Sequence, residues 1–535
     1  MAPRIGIDLG TTFSCAAWID DEGLATVIPT SDGALTTPSV ICFDGTQAWV
    51  GEKANHRKQL PGAPIREFVK HDMGKPAVPD PSQPELDIAP YRFGDTCYGA
   101  AGMSALILRK IKRDAVRFLR GRGVLPEGAE ELTTRVEAVI TVPAYFGDAQ
   151  RAATRLAGFA AGLDVIGIIN EPTAAAISYS ELRRESARIM VFDLGGGTLD
   201  VTILQMSADG DRVESKAGTN QIGGAQWDQL IADHLFESFE RAHGRGVPPE
   251  FGFEVQRLAI AAKHALSTAA TTSVQLVCDD LDVRVELTER APASAKFTRA
   301  TDQDAGFYFE RRASALLHAC RITCEKALAE GVMASPAGPR ALSWADIDEI
   351  VLAGGSCRMP MISRMLESVS RKKIARHVDR FDYDTAIAIG AAHYSRNKGR
   401  INDTVSQSIG VLIRDGERLY VEPVIKRNDP LPVSKSRSMS ADANAEVKVY
   451  EFPSAGRVRP DEARLRGSVH LSNDAPVDHS QLLLTFSIDE DGHLKVTAQF
   501  PPSELRELEL RDAMRWSNEE AERLRDKVLR IRLHS

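Results

Sequence analysis

The stretch at residues 189–204, IMVFDLGGGTLDVTIL, decides the fold of this chain. An apolar segment, a turn of three glycines and a second apolar segment predict two buried strands joined as a hairpin. Successive glycines weaken a strand, because each loses much backbone entropy on ordering. They suit a turn whose backbone N–H groups approach a phosphate closely. Taken alone, the stretch fits equally well a tight hairpin whose glycines serve only to adopt positive φ.

A second copy of this pattern opens the chain at residues 5–19, IGIDLGTTFSCAAWI. In both copies an apolar strand leads to Asp-Leu-Gly, hydroxyl-bearing residues and another apolar strand. Two such hairpins about 185 residues apart predict a duplicated domain that holds one polyphosphate between its halves. Asp193, at the end of its strand, is suited to hold a hydrated cation or to orient a water, and Thr198 offers a hydroxyl to the same site.

Length and composition limit the class of protein. A chain of 535 residues exceeds one hydrophobic core and predicts several domains. Hydrophobic residues at 43% and charged residues at 26% are typical of a globular protein. The net charge of −8 argues against nucleic acid as a partner. No signal-peptide pattern and no long apolar run occur, so we expect a cytoplasmic protein without a membrane partner.

The seven cysteines are scattered from Cys15 to Cys357, which indicates reduced thiols and not a disulfide framework. Cys320 and Cys324 lie one helical turn apart. Because they form no CxxC pair, we interpret them as core residues and not as metal ligands.

Strands and helices alternate between the two hairpins. Lys70 follows a basic segment and precedes a proline-rich loop at residues 75–90. Glu171 lies at a strand-to-helix junction, where α/β sheets place groups that face a ligand; the alternative is a partner of the helix dipole. The other predicted elements of this half are a helix over 101–120, a strand over 136–146 stopped by Pro143, a helix capped by Asp148 through about Ala161, and a strand over 163–169.

Glycine turns continue after the second hairpin. Gly223 and Gly224 open a helix, and Gly354-Gly355-Ser356 opens another whose free N–H groups suit an anion. The periodicity predicts helices over 251–267, 307–330 and 384–393, and paired strands over 274–287.

The pattern changes near residue 400, where helical segments give way to short alternating ones. We place a domain boundary there and predict a β-sandwich from residue 409, with a hairpin over 484–498. Ser517 and Glu520 form a capping box. An apolar stripe then predicts a final helix of about five turns, with Ala521, Leu524, Val528 and Ile531 on one face.

Together these stretches resemble the DnaK-type heat-shock chaperones. The resemblance covers residues 4–392 and is strongest in IGIDLGTT, VKHDMG, VITVPAYFGDAQR, INEPTAAA, FDLGGGT, IGG, VLAGGSCRMPM and AIAIGAA. FSIDEDGHLKVTA looks like the end of the family's peptide-binding β-domain. Sugar kinases and filament-forming actin relatives share the hairpins but not VPAYF, NEPTAAA or the β-domain.

The resemblance implies four regions. An α/β actin-like ATPase domain of two lobes would occupy residues 1–397, and a linker residues 398–408. An all-β sandwich that binds peptides would span residues 409–508. Residues 509–535 would form a truncated helical lid, from which we expect faster peptide release than in long-lid relatives.

The resemblance also implies a site for ATP or ADP with Mg²⁺, and K⁺ as a further candidate ion. Asp8 and Asp193 would hold the metal through water, and Lys70, Glu171, Asp193 and Thr198 would carry hydrolysis. Pro143 and Arg151 would pass the nucleotide state to the peptide domain. The implied nucleotide-binding residues are Gly10, Thr11, Thr12, Gly195, Gly196, Gly197, Gly223, Gly224, Lys263, Ser267, Gly354, Gly355, Ser356 and Asp384.

Several positions depart from the family pattern. Phe13 stands where the family usually has asparagine, Ile260 and His264 replace a polar pair near the adenine, and residues 225–226 replace an acidic pair. The linker at residues 401–406 is mostly polar where the family has leucines. We therefore expect it to dock less well on the ATPase domain and to weaken the coupling between domains.

The resulting hypothesis is an ATP-dependent chaperone that binds and releases unfolded or extended apolar peptides. A J-domain cochaperone and a nucleotide-exchange factor would be its partners. The alternative is a nucleotide-gated binding or regulatory protein with weak or uncoupled ATPase activity. The altered linker and pocket favour that alternative, and the intact set Lys70, Glu171, Asp193 and Thr198 disfavours it. A sugar or acetate kinase is a third class, in which the β-domain would have no role.

Overall fold

A computed structural model gives the structure of the chain. It describes residues 2–60, 62–75, 91–93, 96–182, 186–207, 210–292, 307–333, 338–372, 374, 381–397, 401–416, 418–440, 444–472, 481–490, 492–499, 506–508 and 517–534. Most of the predicted proline-rich loop, the first three residues of the predicted linker and residues 509–516 of the predicted lid lie outside these ranges.

The first lobe is built on a mixed sheet in the order β11-β10-β1-β2-β3, with β4 pairing to β2. β10 and β11 run parallel to β1, whereas β1 and β2 form the predicted antiparallel hairpin. β10 ends directly before Pro143, as predicted. The elements of this lobe are β1 (Arg4–Asp8), β2 (Phe13–Ile19), β3 (Ala25–Val27), β4 (Thr37–Pro38), β5 (Ile41–Phe43), β6 (Gln47–Val50), α1 (Glu52–Arg57), β7 (Ile65–Arg66), β8 (Tyr91–Phe93), β9 (Thr96–Tyr98), α2 (Ala100–Gly121), β10 (Glu137–Val142), α3 (Asp148–Ala160), β11 (Asp164–Asn170) and α4 (Glu171–Leu182).

The second lobe repeats this arrangement, in the strand order β20-β12-β13-β14. β20 runs parallel to β12, as β10 does to β1, and β12 and β13 form the second glycine hairpin. The predicted duplication is therefore confirmed at the level of sheet topology. Its elements are β12 (Ala187–Leu194), β13 (Leu199–Met206), β14 (Asp211–Thr219), α5 (Gly224–His243), α6 (Gly252–Leu266), β15 (Thr271–Cys278), β16 (Leu281–Thr288), β17 (Phe307–Tyr308), α7 (Phe309–Arg312), α8 (Ser314–Glu330), β18 (Val332–Met333), β19 (Arg340–Ala341), β20 (Glu349–Ala353) and α9 (Pro360–Ser370).

The chain then returns to the first lobe as α10 (Ala386–Arg396), which packs on β1 and crosses α4. The crossing is close: a Cβ on Gly390 would lie 1.7 Å from the carbonyl oxygen of Ala174. Only a glycine fits there, which explains the small-residue composition of this helix.

Two predicted elements differ in detail. Asp148 is the first residue of α3 and not its cap, since Gly147 occupies the N-cap position. The predicted helix over 307–330 is a short strand and a single helical turn before α8, because Phe307 and Tyr308 extend the β15-β16 sheet. Cys320 and Cys324 lie in the core of the second lobe, as predicted.

The region after residue 405 is a β-sandwich of two four-stranded sheets, in the orders β23-β22-β25-β26 and β24-β27-β28-β29. Their facing apolar residues form a separate core that includes Val411, Val449, Leu484, Phe486 and Val496. β21 (Ile401–Asn402) belongs to the linker and pairs with β14. The strands of the sandwich are β22 (Ser408–Asp415), β23 (Arg418–Ile425), β24 (Val433–Ser440), β25 (Asn444–Phe452), β26 (Arg464–Ser472), β27 (Gln481–Ile488), β28 (Leu494–Gln499) and β29 (Arg506–Leu508).

The final segment is α11 (Asn518–Arg530) followed by β30 (Arg532–His534). The predicted capping box is present: the Ser517 hydroxyl accepts from the Glu520 N–H at 3.2 Å. The helix has 13 residues and so is shorter than the five turns predicted. It packs on α2 and α3 of the first lobe, and β30 joins β6 in parallel.

Candidate functional site

A cleft of about 1080 Å³ separates the two lobes. Most of the predicted site residues meet in it, although they come from seven separate segments of the chain. The predicted residues that line the cleft are Asp8, Gly10, Thr11, Thr12, Lys70, Glu171, Asp193, Gly195, Gly196, Thr198, Lys263, Ser267, Gly354, Gly355, Ser356 and Asp384.

The tips of the two hairpins face each other across the base of this cleft. A Cβ on Gly196 would lie 1.8 Å from the Thr12 hydroxyl oxygen, so the second hairpin has no room for a side chain there. The Thr12 hydroxyl is buried and has no hydrogen-bond partner among the described residues. Unpaired buried hydroxyls are uncommon and call for a ligand or water. The turns of the two hairpins, at Thr12 and Gly196, thus form a polar pocket, which we call the cradle, and not merely a tight turn.

Acidic side chains concentrate beside the cradle. Glu171, at the start of α4, pairs with Lys70, and both side chains are buried. Asp8, at the end of β1, accepts a hydrogen bond from the Thr141 hydroxyl at 3.2 Å. Asp193 ends β12 and is 5% exposed. Three carboxylates therefore share one ammonium group, and the excess negative charge favours a cation.

Burial is the main cause of the perturbed pKa values in this cluster. Burial, together with the charge of Glu171, raises the pKa of Asp8 to about 7. Burial and the same glutamate raise the pKa of Asp193 well above its ordinary value. A bound cation would reverse both effects, because it stabilises the ionised carboxylates.

The third glycine loop closes the cleft from the second lobe. Gly354 has φ of +79°, and a Cβ there would lie 2.6 Å from an Asp193 carboxylate oxygen. The Ser356 hydroxyl donates to the Gly195 carbonyl at 2.9 Å, which ties this loop to the second hairpin. Arg358 donates to Asp384 at 2.7 Å, and the guanidinium group lies over the Tyr383 ring.

Three of the predicted glycines support the cradle from behind and do not line the cleft. The backbone of Gly223 packs against that of Gly197, where a Cβ would lie 2.4 Å away. The Gly224 N–H donates to the Gly195 carbonyl at 2.9 Å. These contacts fix the shape of the glycine turn.

Lys263 and Ser267 line the cleft, but their polar groups have partners within the protein. The Lys263 ammonium pairs with Asp228 at 2.8 Å and donates to the Gly224 carbonyl. The Ser267 hydroxyl donates to the Lys263 carbonyl at 3.0 Å. Both residues stay candidates for contacts with a nucleoside.

Of the positions that depart from the family pattern, those that line the cleft are Phe13, Ala225, Ile260 and His264. Phe13 is 48% exposed and Ile260 is 41% exposed, so both present apolar surface to the cavity. Burial and the nearby Lys263 lower the pKa of His264, which keeps the imidazole neutral at pH 7.

Sequence reasoning missed two carboxylates, Asp200 and Asp228. Asp200 is 1% exposed, and one of its carboxylate oxygens accepts from the Ala144 N–H at 3.1 Å. The other oxygen is buried and has no hydrogen-bond partner among the described residues. Burial and the charge of Glu171 raise its pKa well above the ordinary value. The signal was available, because Asp200 interrupts the apolar strand of the opening stretch.

The linker lies docked on both lobes, and the expectation that it docks less well than a leucine-rich linker stays a prediction. β21 extends the sheet of the second lobe by pairing with β14. Asp403 accepts from Lys216 at 2.8 Å and from the Asn170 amide at 2.6 Å. The Arg151 guanidinium group contacts Asn170 and donates to the Ser406 hydroxyl at 3.2 Å. Strand pairing and charge hold the linker where the sequence suggested that leucines were needed.

Of the two predicted interdomain residues, Arg151 therefore contacts the linker directly. Pro143 ends β10, and its carbonyl accepts from the Phe146 N–H at 3.0 Å. No described contact joins Pro143 to the linker.

The donor set fits a magnesium nucleotide. The cradle supplies glycine backbone and the unpaired Thr12 hydroxyl, and Asp8, Asp193 and Glu171 supply negative charge for a cation. Among the described residues no three acidic, histidine or cysteine side chains lie close enough together to bind a metal directly. Bridging waters would complete the coordination shell that Mg²⁺ prefers.

In the part of the chain that the structure describes, we find no helix with the length and apolarity needed to span a bilayer.

Comparisons with known proteins agree with this architecture. The family described as Hsp70 protein matches residues 4–530. The chaperone protein DnaK of Thermosipho africanus is 33% identical over 516 residues, covering 92% of this chain and 77% of the relative. That of Thermotoga maritima is 33% identical over 514 residues, covering 92% and 78%. That of Halobacterium salinarum is 34% identical over 511 residues, covering 92% and 72%. The chain therefore belongs to the Hsp70 protein family.

Proposed function

We propose that this protein is an ATP-dependent molecular chaperone that binds and releases unfolded or extended apolar peptides through its β-sandwich. One observation carries the proposal: two consecutive residues connect the cleft to the linker. Glu171 lies in the cleft with Lys70, while the amide of Asn170 donates to Asp403 of the linker. A change in the charge around Glu171 therefore acts one residue away from the group that holds the linker.

The cleft performs ATP hydrolysis by positioning and charge compensation, which contribute most to phosphoryl transfer. Lys70 places positive charge beside the transferred phosphate and the attacking water. Glu171 and Asp193 orient that water, and Thr198 donates a hydroxyl to the phosphate. Asp8 and Asp193 would hold a hydrated Mg²⁺, which would neutralise phosphate charge when bound, and K⁺ is a further candidate ion.

The β-sandwich contacts both lobes, which lets it respond to their relative motion. Arg466 pairs with Asp148 of the first lobe at 2.6 Å. Arg427 donates to the Lys216 carbonyl and pairs with Glu330 of the second lobe at 3.4 Å. A rotation of the lobes cannot keep both sets of contacts, so the nucleotide state biases the docking of the β-sandwich.

We propose a cytoplasmic chaperone whose partners are client peptides, a J-domain cochaperone and a nucleotide-exchange factor, without nucleic acid or membrane. All seven cysteines are free thiols, as expected in a reducing compartment. The docked linker argues against the alternative of an uncoupled regulatory protein, because the altered linker was one of the two reasons to consider it, together with the altered pocket.

The test is the substitution Lys70→Ala. We expect steady-state hydrolysis to fall by at least about a hundredfold, because an electrostatic group at the reacting phosphate is removed. Nucleotide binding, followed by calorimetry, stays within a few fold. Lys75→Ala is the matched control, since Lys75 is five residues away and pairs with Asp72 outside the cleft.

The hydrolysis rate is then measured with a J-domain protein and with an unfolded peptide. Stimulation by both supports the chaperone. Undiminished turnover in Lys70→Ala would remove Lys70 from the mechanism, and a wild-type rate that neither partner changes would favour the regulatory alternative.

A further inference from the structure

The C-terminal segment 517–534, which we call the strap, lies entirely on the first lobe. Val528, Ile531 and Leu533 are at most 8% exposed and belong to the same hydrophobic core as the first-lobe sheet. Leu524 packs against Gly102 of α2, and the Arg525 guanidinium group lies 4.9 Å from the centre of the Phe159 ring. The strap thus completes the core of a domain that ends in sequence more than a hundred residues earlier.

Backbone contacts also hold the strap. β30 adds a parallel strand to β6, with Arg532, Leu533 and His534 opposite Gln47, Ala48 and Trp49. His534 stacks on Trp49 with ring centres 4.9 Å apart and contacts the Gln47 side chain at 2.8 Å.

Two arginines of α2 bind the end of the strap. Arg109 is buried and donates to the carbonyls of Val528 and Ile531 at 2.8 and 2.7 Å. Arg113 donates to the Leu533 carbonyl at 3.1 Å. Val528 lies in the last turn of α11, where the carbonyl groups carry partial negative charge, so a cation there is favourable. If the strap left, Arg109 would exchange two protein acceptors for water and keep its ion pair with Glu131 at 2.6 Å, so these hydrogen bonds add modestly to the apolar burial that holds the strap.

The first-lobe elements that contact the strap also lie outside the cleft. None of the residues that contact it in α2, α3 or β6 lines the cleft. A ligand shifts a conformational equilibrium only when it interacts differently with the two states. The linker and the β-sandwich, in contrast, contact both lobes and sense their rotation. We propose that residues 517–534 are a fixed part of the ATPase domain that stays on the first lobe in both nucleotide states and does not act as a lid.

The strap then limits how far the β-sandwich can travel. The nine residues 509–517 join the end of β29 to the start of α11. They reach about 30 Å when fully extended. The β-sandwich is therefore tethered to the ATPase domain at both of its ends, by the linker and by the strap. That the tethered β-sandwich binds peptides rests on the proposed function, whereas the position of the strap does not.

Hydrogen exchange of the full chain tests the position of the strap, with saturating Mg-ATP or Mg-ADP. We expect amides of residues 524–534 and of β6 to exchange at least about a hundredfold more slowly than an unstructured chain, and equally in both states. Loss of this protection with either nucleotide would overturn the proposal.

The variant Leu533→Asp, which places a charge in the core, is expected to release β30 and deprotect β6. Its matched control is Arg532→Asp, which changes an exposed residue of the same strand and should leave protection unchanged. If Leu533→Asp does not fold, the wild-type comparison still decides the question.

Peptide release with Mg-ADP separates a strap from a lid. We expect the off-rate of a fluorescent apolar peptide to change by less than about twofold in Leu533→Asp. A tenfold change would show that the segment acts as a lid and would overturn the proposal. If no peptide binds to the wild type, the proposed function fails, while the exchange experiment still tests the strap.

Discussion

Each of the two attachments of the β-sandwich includes a strand pairing, β21 with β14 and β30 with β6, but the side chains that hold them differ. The linker is held by buried charges, with Lys216 and Asn170 on Asp403 and Arg151 on Ser406. The strap is held by apolar side chains and a strand pairing, with Val528, Ile531 and Leu533 in the core of one lobe.

The difference teaches what each attachment is suited to do. Buried ion pairs add little net stability because desolvation offsets their attraction, but they depend strongly on geometry. Such contacts break when two lobes rotate. Apolar burial is non-directional and contributes more free energy, so it suits a permanent contact. The linker is therefore the reversible attachment and the strap is the permanent one.

The substitution Val528→Asp should have the largest effect on this comparison. A charge without a partner in the first-lobe core is expected to lower the free energy of unfolding by about 3–5 kcal/mol. Chemical denaturation followed by circular dichroism measures the loss. Lys527→Ala is the matched control, since it changes the charge by the same amount on the exposed face of α11. A loss below about 1 kcal/mol for Val528→Asp would mean that the strap is not part of that core.

The substitution Lys216→Ala should weaken the reversible attachment. It leaves Asp403 without its cation, and we expect the domain coupling to fall by about 2 kcal/mol, or roughly thirtyfold in ATP-stimulated peptide release. Stopped-flow release of a labelled peptide measures it. Arg212→Ala, an exposed cation on the same strand, should change release by less than twofold. Full stimulation in Lys216→Ala would show that charge does not hold the linker.

The double variant Lys216→Met with Asp403→Leu sharpens the comparison. An apolar pair of similar size often replaces a buried ion pair at little cost. We expect the linker to dock again, in contrast to Lys216→Ala, but to undock less readily than in the wild type. Peptide release with ATP should therefore be slower than in the wild type. Wild-type release rates in the double variant would contradict the assignment of the ionic pair to reversibility.

The smallest predicted effect is the response to pH. Asp8 has a pKa raised to about 7, above its value in the unfolded chain, so the nucleotide-free folded state holds an extra proton between about pH 4 and 7. Stability without nucleotide therefore decreases as pH rises through this window. Binding of Mg-ADP expels the proton, and its affinity should rise about tenfold from pH 6 to pH 8.

Calorimetry in two buffers with different ionisation enthalpies measures this proton release. The protection of the strap should not change over the same range, because Val528, Ile531 and Leu533 do not titrate. A pH-independent affinity for Mg-ADP would contradict the raised pKa of Asp8, and a strap that loosens in step with Asp8 would contradict the separation of the two attachments.

Local pattern was enough to predict most of the fold and of the cleft. The two hairpins, the boundaries of β10 and α2, and the Ser517 cap depend on periodicity, glycine and proline, which act over a few residues. The residues of the cleft followed from the matched hairpins and the family resemblance. The strand at Phe307 was missed because its pairing with β16 is a contact between distant segments. Asp228 was missed because nothing in its own segment reveals that Lys263 lies opposite.

The sequence by itself determined the duplicated ATPase domain, the β-sandwich and the residue types that line the cleft. Each of these leaves a signal in spacing or composition. Only the tertiary structure decided how the β-sandwich is attached. The polar composition of the linker predicts poor docking, but Lys216 and Asn170 lie opposite Asp403 and bind it. The position of the final helix in the sequence predicts a lid, but Arg109 of the first lobe binds its end. Both attachments depend on partners hundreds of residues away, and the free energy of such contacts is fixed by distance and burial, which no local pattern records.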